Sequence, residues 1–186
     1  SDGTPEEVEE EIARMSEVLR ASGATAIAVS RDEGERLRFW SGRKNAFPAS
    51  GRISPDYMCM DSTIPRKRLA DILLAIQAME KKYGLRCANV FHAGDGNLHP
   101  LIAYDANDAA QLHTAEQLGA KILELCIEVG GTITGEHGVG RLKADWLAAE
   151  LDPTAADLHR TLRSVLDPHG ILNPGAVLGT RADPET

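Results

Sequence analysis

Apolar positions recur at helical spacing in several stretches of the chain, with short apolar runs of strand length between them. Thr4-Pro5-Glu6-Glu7 combines a capping residue, a first-turn proline and acidic side chains, so a helix is predicted from Pro5 to Ala21, ending at Ser22-Gly23. Ala24 to Ser30 is a short apolar run that reads as a strand, and residues 31–44 read as a helix with Leu37, Phe39 and Trp40 turned inward. After a loop between Pro48 and Pro55, residues 57–64 read as a strand closed by Pro65. Pro65 opens a strongly amphipathic helix that places Leu69, Ile72, Leu73, Ile76 and Met79 on one face before Gly84 stops it. Residues 87–92 and 98–104 form a predicted hairpin, and Asn107 caps a helix reaching Val129. Thr132-Ile133-Thr134 is a short strand. A helix then precedes a further one over 153–166, and residues 171–178 form an extended tail. Strands separated by helices, with one hairpin, predict an α+β fold: an antiparallel sheet with helices packed on one face, in a single domain covering residues 1–186.

Composition narrows the function classes. The 186 residues are 42% hydrophobic and 26% charged, which suits a globular domain with a real core. A net charge of −8, with no basic run, argues against a nucleic-acid partner. No apolar run approaches the ~20 residues needed to cross a bilayer. The three cysteines, Cys59, Cys87 and Cys126, form no paired motif, as in a reducing, cytoplasmic setting. The Ser-Asp-Gly start, running straight into a helix, is expected of a fragment of a longer protein.

Candidate chemistry concentrates in two glycine-framed segments, His-Ala-Gly-Asp-Gly-Asn-Leu-His (92–99) and Gly-Glu-His-Gly-Val-Gly (135–140). If Asp95-Gly96 is a two-residue hairpin turn, His92 pairs with His99 on one sheet face, with Cβ atoms about 4.5–5.5 Å apart. Two imidazoles at that spacing can chelate a cation, and Glu136 supplies a third ligand; zinc suits such a set. His137 then stands beside a Lewis acid as a free base. Residue types alone leave alternatives open. The same segments fit ordinary surface turns, with Asp95 as a turn residue. A metal-dependent hydrolase or a non-catalytic metal-binding module would use the same His-His-Glu site.

HAGDGNLHP, then GGTITGEHGVGRLK and ILNPGAVL, preceded by FWSGRKNAFPASGRISPDYMCMDSTIPR, resembles the C-terminal cap domain of the FAD-linked oxidases of the vanillyl-alcohol oxidase superfamily. Within it the chain is most similar to the glycolate oxidase D-subunit and D-lactate dehydrogenase branch. The resemblance implies a ferredoxin-like cap that covers a flavin held mostly by an N-terminal FAD-binding domain. It implies that His92, His99 and Glu136 ligate a divalent metal and that His137 is the base for a 2-hydroxy acid. Arg43 would bind the substrate carboxylate and Asn173 would lie beside the flavin. An iron–sulfur subunit or a quinone would accept the electrons, at the inner face of the membrane if the protein is peripheral to it. The related 2-hydroxyglutarate enzymes carry a lysine near the position of Cys59 and an asparagine at that of Leu101; their absence here implies a small monocarboxylate such as glycolate or D-lactate. Taken alone, the fragment is expected to be inactive. Lys143 reads as a surface or flavin-edge residue.

Overall fold

The computed structural model describes residues 1–178, and its contacts divide the chain into two compact units, Ser1–Asn45 and Ala46 onward. In the first unit, α1 (Pro5–Ala21) begins with a reciprocal cap: Glu7 N–H donates to the Thr4 hydroxyl, and Thr4 N–H donates to the Glu7 carboxylate. The run from Ala24 to Ser30 is not a strand. It finds no ladder partner among the described residues, and an apolar run without a neighbouring edge has nothing to pair with. Helix α2 (Glu33–Ala49) continues through Pro48, beyond the predicted end at Lys44. Leu37, Phe39 and Trp40 are exposed rather than turned inward.

The second unit is built on a four-stranded antiparallel sheet: β1 (Asp56–Cys59), β2 (Ser62–Thr63), β3 (Arg86–His92) and β4 (Asn97–Tyr104). Strand β4 lies in the middle. One of its edges pairs with β3 from Arg86↔Ala103 to His92↔Asn97, and the other pairs with β1 and then β2. The predicted strand over 57–64 is therefore interrupted at Met60-Asp61, yet its register is unbroken. Cys59 faces Leu101 and Ser62 faces Leu98, so Asp61 falls opposite His99. Helices α3 (Leu69–Tyr83) and α4 (Ala109–Glu128) contact each other and both pack on the sheet, so they cover the same face. The structure is thus the α+β arrangement expected. Asp108, not Asn107, caps α4 by accepting from the Ala110 and Gln111 N–H groups. The predicted strand at 132–134 reduces to one bridge, in which Thr132 and Thr63 exchange backbone hydrogen bonds.

Alternation along the strands gives the sheet two unlike faces. Met58, Met60, Leu98, Ile102, Cys87 and Phe91 point to the helices and join Ile72, Ile76, Leu118 and Ile122 in the core. Cys59, Asp61, Asn97, His99, Leu101 and His92 occupy the alternate positions and point to the other face.

Helices α5 (Ala144–Glu150) and α6 (Pro153–Leu166) follow. The tail over 171–178 turns instead of extending. Asp167 accepts from Ile171 and Leu172 N–H, Arg163 donates to the carbonyls of Leu172, Asn173 and Ala176, and Asn173 takes a left-handed φ of 46°. These polar tethers outcompete an extended path.

Candidate metal and catalytic site

Two histidines from neighbouring strands meet on the sheet face opposite α3 and α4. The connection between β3 and β4 is a four-residue loop, Ala93–Gly96, in which Asp95 and Gly96 N–H both donate to the His92 carbonyl. Gly96 adopts φ +74°, and a Cβ there would lie 2.2 Å from the Ile64 carbonyl oxygen, so only glycine fits. This corrects the two-residue turn: His92 pairs with Asn97, and His99 pairs with Val90. His92 and His99 are diagonal rather than directly opposed, with ring centroids 5.5 Å apart and planes at 87°. Diagonal neighbours on one face remain within reach of long side chains.

Glu136 closes the set. Its Oε1 is 2.9 Å from His99 Nε2 and 3.6 Å from His92 Nε2. One ligand atom from each of the three residues lies within 4.8 Å of the others. His99 is buried, whereas Glu136 and His92 are partly exposed, which leaves the set open to solvent on one side. His99 Nδ1 is buried without a hydrogen-bond partner and lies 3.9 Å from Asp61 Oδ1. A metal-bound imidazole normally has a carboxylate behind its second nitrogen, and Asp61 occupies that side. Two imidazoles and a carboxylate are a donor set that suits a divalent cation such as zinc, with positions left for substrate. The ring of His137 stacks on that of His99 at 5.0 Å, with 19° between their planes.

What holds Glu136 and His137 in place is Asp61, which sequence reasoning missed. Its carboxylate is 1% exposed and accepts from the Thr134 hydroxyl (2.6 Å) and from three successive backbone N–H groups, those of Gly135, Glu136 and His137 (2.9–3.2 Å). Burial alone would raise the pKa of this carboxyl. The Thr134 hydroxyl and the His137, Gly135 and Glu136 amides outweigh it and bring the value down to about 2. Gly135 is required because a Cβ there would sit 2.4 Å from Asn97 Oδ1. Lys143 is largely buried rather than a surface residue: its ammonium donates to the backbone carbonyls of Asp61 and Ile133 and lies 3.7 Å from Asp61 Oδ2. Burial lowers its pKa against the opposing pull of Asp61. The signal for Asp61 in the sequence was a single carboxylate inside the run Met58-Cys59-Met60-Asp61-Ser62.

Two further expected site residues lie on other segments of the chain. Arg43 belongs to the first unit, where its guanidinium lies over the Trp40 ring at 5.4 Å. Asn173 sits in the turned tail, which is tied to the glycine loop by the bonds from Val177 N–H to the Gly140 carbonyl and from Arg141 to the Pro174 carbonyl. Cys59 is half-buried, its thiol pKa raised by burial and by Asp61.

An open antiparallel sheet with this His-His-Glu face is matched by sequence to a known class. Residues 1–177 match the family described as FAD linked oxidases, C-terminal domain, and the chain belongs to it. Among its relatives, glycolate oxidase subunit GlcD of Escherichia coli (strain K12) is 51% identical over 96% of this chain, and the Bacillus subtilis (strain 168) protein of the same name is 35% identical over 97%. D-lactate dehydrogenase of Anaerostipes hadrus is 32% identical over 95%. The chain spans only 36–38% of the length of these relatives.

Proposed function

We propose that this chain is the substrate-side half of an FAD-linked oxidoreductase that converts a small D-2-hydroxy acid, glycolate or D-lactate, to the 2-oxo acid. Two things support the reading: family membership, and the convergence of His92, His99 and Glu136 beside His137. Of these, the convergence carries the argument, because an imidazole stacked on His99 beside a His-His-Glu donor set is what a base next to a bound cation would require. The relatives' names make oxidation a better fit than hydrolysis at the same residues. A divalent cation held by His92, His99 and Glu136 supplies Lewis acidity toward the substrate hydroxyl and carboxylate. FAD, held largely by a domain outside this chain, supplies the hydride acceptor, with Asn173 contributing beside it.

The chain's own residues would act as follows. Arg43 pairs with the substrate carboxylate through its guanidinium fork, which fixes the orientation of the hydroxyl-bearing carbon. His137 takes the hydroxyl proton on an imidazole nitrogen as the carbon is oxidised. Asp61 keeps the His137 backbone fixed relative to Glu136, so base and ligand keep their spacing. Cys59 and Leu101 offer no distal cation or amide, which suits a substrate with one carboxylate. The electron acceptor beyond the flavin would be a quinone or an iron–sulfur subunit. Cytoplasmic placement, peripheral to the inner membrane face, fits the finding that no helix among the described residues is long and apolar enough to cross a membrane.

The test uses the intact flavoprotein that contains this chain. His137→Ala should abolish flavin reduction by glycolate or D-lactate while FAD content stays at the wild-type level. Unchanged flavin reduction in that variant overturns the assignment of the base. Elemental analysis should find one divalent metal per chain, lost in His99→Ala.

A further inference from the structure

Strand alternation brings a second, chemically different donor set to the same face. Cys59 and Asp61 are two apart on one edge of β4, and His99 lies opposite Asp61, so the Cys59 thiol is a diagonal neighbour of the His99 ring. His137, stacked on His99, completes a triangle: one ligand atom each from Cys59, His99 and His137 lies within 4.8 Å of the others. The first set offers nitrogen, nitrogen and oxygen. This one offers sulfur, nitrogen and nitrogen, a combination that favours soft cations over hard ones.

We propose that Cys59, His99 and His137 form a second cation site, for a thiophilic divalent ion, that shares His99 with the His92–His99–Glu136 set. The cation enters from the exposed side at His137 and meets a half-buried thiol and a buried imidazole. On binding, the Sγ–H bond breaks, the sulfur–metal bond forms and the proton leaves to solvent, with no change of oxidation state. Three protein ligands leave a fourth, tetrahedral position for water. Occupancy removes His99 and His137 from the roles given to them above, so a soft cation inhibits. That consequence rests on the proposed function; the binding itself does not.

The test titrates the chain with cadmium chloride alone and follows the thiolate-to-cadmium charge-transfer absorption in the ultraviolet. One band, saturating at one cadmium per chain, is expected, and it is absent in Cys59→Ser. Cys87→Ser and Cys126→Ser keep it. Glu136→Gln and His92→Ala, which alter only the first set, leave the affinity unchanged, and His137→Ala weakens it about tenfold or more. Cadmium should also protect Cys59 alone from alkylation in the wild-type chain, read by mass spectrometry, a measurement that needs no variant to fold. The proposal is overturned by a band that survives Cys59→Ser, by protection centred on Cys87 or Cys126, or by an equal loss in Glu136→Gln and His137→Ala.

Discussion

On one face of β4, Leu98 and Ile102 are packed against α3 and α4 by the same contacts that hold any protein interior; on the other, Asn97 and His99 are almost as deeply buried beneath a loop. The two faces share one backbone and differ in what excludes water. Under the helices, apolar area is removed from solvent, and the cost of a change scales with the volume lost. Under the 134–137 loop, burial is held by directed bonds to one carboxylate, so a change costs whatever donors it leaves without a partner. Packing tolerates small adjustments on the first face. The second has fewer ways to compensate.

The most damaging single change should be Asp61→Ala, which strands three backbone N–H groups and the Thr134 hydroxyl and removes the carboxylate charge 3.7 Å from the Lys143 ammonium. A loss of about 3–5 kcal/mol in chemical denaturation is expected, together with loss of metal binding. If Asp61→Ala costs less than Ile102→Ala, the contrast between the faces fails. Ile102→Ala itself should cost about 2–5 kcal/mol and leave metal affinity per folded molecule unchanged, because its volume lies on the helix side. Gly135→Ala forces its new Cβ against Asn97 and should cost about 1–3 kcal/mol, lowering metal affinity as Glu136 moves.

Acid sharpens the comparison further. The Asp61 pKa lies near 2 in the folded chain and near the ordinary 3.8 when unfolded, so the unfolded chain binds the proton first as pH falls. Its contribution of about 2 kcal/mol is complete above about pH 5 and is lost as pH drops through 4 toward 2. Denaturation midpoints followed against pH should show this loss in the wild type and not in Asp61→Asn. Smallest of all, His92→Ala should shift stability by no more than about 0.5 kcal/mol, since the ring is partly exposed, while removing the metal.

Much of the helix side was legible because periodicity is a local signal. Ile72 and Ile76 fall inside the apolar stripe on α3, and both are fully buried. The hairpin was read with its turn too short. The observed register differs from the expected one by two residues, and an even shift keeps every side chain on its face, so His92 and His99 still met. An error of one residue would have separated them. Asp61 escaped because its partners lie 73–76 residues further along the chain, and no local pattern announces a carboxylate that binds a distant loop. The run over 24–30 misled for the complementary reason: apolar content signals burial, whereas a strand also needs a neighbouring edge. Arg43 and Asn173 were assigned by resemblance alone.

Among the described residues, β4 is the strand laddered along both edges, and it carries the buried histidine. Its amides can exchange with solvent deuterium only when the sheet comes apart, so protection at Leu98 and His99 should approach the free energy of global unfolding. Glu136 and His137 ride on a loop whose amides can open by releasing Asp61 alone. The site therefore joins a slow-exchanging half to a fast one, and a bound cation should raise protection chiefly in the loop.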